Sequence, residues 1–136
     1  TKQTKGNIKN NSVQGITYLG HKNAIKNYLT LEDNILLMEL NDNKELNKYI
    51  EILNLRKYMD VIAANLSFGQ QKKLALLRIF LNNSDLIVLD EPFVGLDIET
   101  QDILSEFLNS QLKISKTIIF TSHIPCRIES KTLKIN

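Results

Sequence analysis

The sequence predicts an α/β fold with a parallel-sheet core, and three observations carry that prediction. Leu86-Ile87-Val88-Leu89 is an unbroken apolar run, the pattern of a strand buried on both faces. Thr117-Ile118-Ile119-Phe120-Thr121 is a second, β-branched run. Between them Ile98 to Leu112 is amphipathic, with Ile103, Leu104, Phe107 and Leu108 along one side. A helix joining two strands is the connection that parallel pairing requires.

The remaining elements follow in order. Thr1 to Gln14 is polar and reads as a loop or frayed end. Gly15-Ile16-Thr17-Tyr18-Leu19 is a short β-branched and aromatic run stopped by Gly20, hence a strand. Thr30-Leu31-Glu32-Asp33 resembles a capping box and opens a helix over Leu31 to Leu40. Leu46, Tyr49, Ile50 and Leu53 fall on one face of a second helix. Leu66 to Gly69 interrupts the pattern, and Gln70 to Leu81 resumes it with a stripe of Leu74, Leu77 and Leu81. Pro92 ends the Leu86 strand. The tail from Ile128 to Asn136 reads as a final short strand or helix, and Lys72-Lys73 as a solvated helix face.

With 136 residues the chain has room for one domain. Seventeen Lys plus Arg against fifteen Asp plus Glu leave a net charge of +2, which gives no support for a nucleic-acid partner. One cysteine, Cys126, excludes a disulfide framework and a Cys-rich metal site. No apolar stretch is long enough to span a bilayer, and Thr1 to Asn11 lacks the apolar segment of a signal peptide. The chain has no initiator Met, so residues upstream of Thr1 are expected.

Four short features carry chemistry. Asp90 and Glu91 close the apolar strand, at the edge of a parallel sheet where ligands bind. Asp90 could hold Mg²⁺, which favours carboxylates and phosphate oxygens, and Glu91 could polarise an attacking water. Leu66-Ser67-Phe68-Gly69-Gln70 opens a helix, with Ser67 as N-cap and Gly69 permitting close approach of a ligand. Free amides at a helix N-terminus attract phosphate. Gly95-Leu96-Asp97 forms a turn past Pro92, and Thr121-Ser122-His123 ends the second strand, where a histidine can donate to a phosphate oxygen. Taken singly, each also fits a solvated strand end or an ordinary capped helix.

Together, in this order and spacing, the four resemble the ATPase subunits of the ABC transporter family. Residues 66–70 are similar to that family's signature, usually LSGGQ, and residues 86–90 to its Walker B strand. The resemblance implies Glu91 and His123 as catalytic residues and Asp90 as the Mg²⁺ residue. It implies that Ser67, Gly69, Gln70, His21 and Asp97 contact nucleotide. Phe68 in place of Gly, and Gly95 in place of Ser or Thr, are departures from the usual pattern. A narrower resemblance covers Tyr18 to Lys26 and Leu29 to Asn34, which are similar to the haem-exporting ATPases of cytochrome c maturation. There a Gly-His pair, here Gly20-His21, stands where most ABC ATPases carry the glutamine of the Q-loop.

The resemblance implies a partial P-loop NTPase fold of ABC-ATPase type. A helical subdomain at about 30–82 is inserted in the parallel sheet, and the Walker B to switch-histidine segment spans about 83–124. It implies ATP and Mg²⁺ as cofactors, a membrane permease and a second ATPase subunit as partners, and a place at the cytoplasmic face of the inner membrane. No G-x-x-x-x-G-K-[ST] phosphate loop occurs in the chain. Gly15 to Gly20 followed by His21-Lys22 fails, because the Lys is one position late and no Ser or Thr follows it. In the family that loop precedes the Q-loop by several tens of residues, so it would lie before Thr1. Ser67, Gly69 and Gln70 would then act on a partner's ATP, while the chain alone is expected not to bind ATP. The same residues fit two other readings, a non-catalytic truncated remnant of such a gene and an ABC ATPase serving another substrate.

Overall fold

The computed structural model describes residues 15–20, 23–121 and 133–134. They form a four-stranded sheet in the order β1-β2-β3-β4: Ile16–Leu19, Leu86–Asp90, Thr117–Thr121 and Leu133–Lys134. Every pairing is parallel, with Ile16 opposite Leu86, Leu86 opposite Thr117 and Ile119 opposite Leu133. Helices α1 (Leu31–Leu37), α2 (Leu46–Ile52) and α3 (Phe68–Phe80) lie between β1 and β2, and α4 (Ile98–Lys113) connects β2 to β3.

The Leu86 strand is buried on one face only. Ile87 and Leu89 are buried, whereas Leu86 and Val88 are half-buried. The parallel register carries this across the sheet: Leu19, Leu89 and Phe120 share the buried face, and Tyr18, Val88 and Ile119 share the other. Ile16 and Tyr18 on that second face are 61% and 54% exposed. The cause is topological. Both crossovers step the same way across the sheet, and right-handed connections then lay α3 and α4 on the same side.

Three helices end on residues with left-handed backbone, and one of them ends earlier than its periodicity predicts. The first stops at Leu37 rather than Leu40, because Glu39 turns to φ 61° and the Leu40 amide reaches back to the Ile35 carbonyl at 3.2 Å. Asn54 (φ 58°) closes α2 and Ser115 (φ 71°) closes α4 in the same way. The Leu55 and Lys116 amides reach the Ile50 and Gln111 carbonyls. These are Schellman stops built without glycine. Helix α3 begins at Phe68, two residues before the apolar stripe resumes, because Ser67 caps it.

Two devices fix the helices. Buried Asn34 accepts the Lys26 amide at 2.8 Å and donates to the carbonyls of Lys26, Leu29 and Thr30, pinning the loop after β1 to α1. Tyr49, Phe80 and Phe107 join α2, α3 and α4: Tyr49 stacks on Phe80 at 4.7 Å between centroids, and Phe107 meets Phe80 edge-on at 5.0 Å. Among the described residues, no helix is long and apolar enough to cross a membrane.

Candidate functional site

The site is assembled where β2 and β3 end and α3 begins. Asp90 is the last residue of β2 and pairs with Thr121, the last of β3. The Thr121 hydroxyl donates to Asp90 Oδ1 at 2.8 Å and accepts the Glu91 amide at 3.2 Å. The Glu91 amide also reaches the Thr121 carbonyl at 3.1 Å. Thr121 therefore ties the two carboxylate residues to the neighbouring strand. Of residues 121–123 the sequence marks His123 and gives no role to Thr121, whose part depends on the register that pairs it with Asp90.

Glu91 does not continue the strand. Its φ is 54°, the left-handed region, and it precedes Pro92, which steers the residue before it toward extended backbone. The strand alternation that would separate Asp90 from Glu91 is thus replaced by a backbone reversal. Strain of this kind costs about 1–3 kcal/mol and persists only where surroundings over-determine it.

Ser67 and Gln70 form a reciprocal capping box. The Gln70 amide donates to Ser67 Oγ at 3.1 Å, and the Ser67 amide donates to Gln70 Oε1 at 2.9 Å. By position, the amides of Phe68 and Gly69 have no intrahelical acceptor and remain available to an anion. Phe68, 58% exposed, lies over Gly95, where a Cβ would overlap its ring; Gly95 also adopts φ 83°. A Cβ on Gly69 would stand 3.1 Å from the Gly95 carbonyl oxygen. The two departures noted in the sequence are thus one contact: a large side chain in the signature faces a residue that has none.

Asp97 caps α4, accepting the Thr100 amide at 2.9 Å. Hydrogen bonds from Thr100 hold its carboxyl below the ordinary carboxylate value, with a smaller contribution from the charge of Lys73. Lys72 is not on a solvated face. It is 3% exposed, and its Nζ donates to the Glu91 carbonyl at 3.0 Å. Burial pushes its pKa down, opposed by the charges of Asp90 and Glu91. His21 and His123 lie outside the described residues.

Among the described residues there is no group of three or more His, Cys, Asp and Glu side chains able to cage a metal ion. Asp90 offers one carboxylate, already oriented by Thr121. That suits Mg²⁺, which takes one or two carboxylates and completes its shell with phosphate oxygens and water.

A parallel sheet carrying Asp90 and Glu91 at its carboxyl edge, beside the helix that Ser67 caps, defines an α/β protein of sheet-edge type. More particularly, the chain belongs to the ABC transporter family, whose model matches residues 1–94. It is 33% identical over 115 residues to the cytochrome c biogenesis ATP-binding export protein CcmA of Gluconobacter oxydans (strain 621H), covering 85% of this chain and 54% of that protein. It is 34% identical over 125 residues to the protein of the same name from Pasteurella multocida (strain Pm70), covering 88% and 57%. The chain thus spans about half the length of the curated relatives it matches. Among solved structures, the ATP-binding subunit of an ABC transporter matches with a TM-score of 0.70 at 26% identity, over 80% of this chain and 48% of that one. A dimeric ATP-binding cassette in a post-hydrolysis state, bound to ADP and Pi, has the same fold, with a TM-score of 0.66 at 21% identity, over 80% and 52%.

Proposed function

We propose that these residues are the signature, Walker B and D-loop part of the ATP-hydrolysing subunit of an ABC exporter, serving haem export for c-type cytochrome biogenesis. The observation that carries the reading is the Asp90–Thr121–Glu91 arrangement held beside the start of α3. Glu91 acts as the carboxylate that orients and polarises water at a γ-phosphate. Asp90 holds Mg²⁺, which would neutralise phosphate charge when bound. His123 donates to the γ-phosphate, and His21 contacts the nucleotide from the loop after β1. Ser67, Gly69 and Gln70 meet the ATP of a second ATPase subunit, with the helix N-terminus supplying amides. Asp97 shapes the turn on which that contact rests.

Support for a membrane permease as partner comes from the helical segment, where Tyr28, Leu36, Leu37 and Ile62 are exposed apolar residues at α1 and its neighbouring loops. Docking on such a permease would place the protein peripherally at the cytoplasmic face of the inner membrane. The relatives' printed name supports haem delivery only as far as cytochrome c biogenesis.

The test is ATP turnover by the natural protein that contains these residues. E91Q is expected to lower kcat by roughly 10²–10⁴-fold with ATP still bound, the range for loss of a general base. Turnover at the unsubstituted rate would overturn the assignment of Glu91. The 136-residue chain alone is expected to show no micromolar MgATP binding by calorimetry, since it carries no phosphate loop.

A further inference from the structure

We propose that Lys72 is a positioning residue: it clamps Glu91 in its left-handed conformation and ties that residue to the signature helix. Three observations meet at one atom. Lys72 is buried, although lysine is among the residues least often buried fully. Its ammonium is spent on a main-chain carbonyl, that of Glu91, at 3.0 Å. That carbonyl belongs to a residue at φ 54° standing before a proline.

The geometry explains why a strained residue stays strained. The Glu91 amide is held from β3 by the Thr121 carbonyl and hydroxyl. The Glu91 carbonyl is held from α3 by Lys72. With both flanking peptides fixed from different elements, the backbone at Glu91 has little freedom to relax to the extended form that Pro92 favours. A methionine would fill the same space without the cost of desolvating a charge, but it would leave the carbonyl without its donor. The Asp90 and Glu91 charges partly offset that cost. Because Lys72 lies five positions beyond Ser67 on the same helix, a rigid shift of α3 carries the Glu91 carbonyl with it. Contact at the helix N-terminus is thereby linked mechanically to the carboxylate residue on β2.

The meaning of this clamp for hydrolysis rests on the reading of Glu91 above, but its test needs no nucleotide. Backbone NMR of the 136-residue chain reports the Glu91 Cα and Cβ shifts and its amide exchange. In K72M, the Glu91 shifts are expected to leave the left-handed range and its amide to exchange at least tenfold faster, while amides inside α3 and β3 keep their protection. K72R, which retains a charged donor, is expected to restore both readouts. Should K72M fail to fold, K72L, which likewise carries no donor, is read the same way. Glu91 shifts and exchange unchanged in the folded Met or Leu variant would overturn the clamp, and so would an arginine variant that behaves like the methionine one. Loss of the ATPase reading through E91Q leaves these outcomes untouched, and the reverse holds.

Discussion

Asp97 shows how one side chain serves local structure beside the candidate site. Its carboxylate caps α4, and replacing such a cap by alanine costs about 1 kcal/mol. Because Thr100 holds the folded carboxyl below its ordinary value of 3.8, the stabilisation is complete above that value and is lost as pH falls through the depressed folded pKa. D97A is therefore expected to lower the urea midpoint at neutral pH and to lose less further stability on acidification than the unsubstituted chain. D97N, which still caps, should keep the neutral-pH midpoint; a midpoint as low as that of D97A would remove the capping role. Ser67, Gly69, Gln70, Asp90, Glu91 and Asp97 could all be picked from the sequence, because short motifs at the right spacing mark them. Lys72 and Thr121 could not. One looked like half of an exposed lysine pair, and the other matters only through a register that pairs it with Asp90.

At the scale of elements, α2, α3 and α4 are held by aromatic contact. Phe80 stacks on Tyr49 and meets Phe107 edge-on, and it is buried. F80A removes the centre of this cluster and is expected to cost about 3–5 kcal/mol in equilibrium unfolding. F80L, closer in volume, should cost distinctly less; equal losses would mean that the cluster packs loosely. The sequence located each of these helices from apolar period, yet gave no sign that Tyr49, Phe80 and Phe107 converge, since each lies on a different element. Helix ends were less legible still. Glu39, Asn54 and Ser115 take left-handed backbone where glycine is the usual marker, so the reading ran α1 on to Leu40. Burial of the Leu86 strand departs from its apolar pattern for a different reason. A continuous apolar run tells that both faces are apolar, not that helices cover both.

The described residues form a sheet with helices on one side. The other side presents Ile16 and Tyr18, beside half-buried Leu86, Val88 and Ile119. Contiguous apolar surface of this kind binds partners or dyes. The folded chain is expected to enhance ANS fluorescence at neutral pH, and the double substitution I16K/Y18K to reduce that signal while leaving the circular dichroism spectrum unchanged. Absence of ANS binding by the folded chain would show this face to be covered in solution. The parallel order also sets a sequence of events in time. Ile16 pairs with Leu86, seventy positions on, whereas Leu86 pairs with Thr117, thirty-one positions on. Closing the longer loop costs about 0.7 kcal/mol more in chain entropy, and the intervening helices must first form to shorten it. The unit β2–α4–β3 is accordingly expected to assemble before β1 pairs with it. The Leu19 end of β1 is then expected to be the part of the sheet's carboxyl edge that takes shape last.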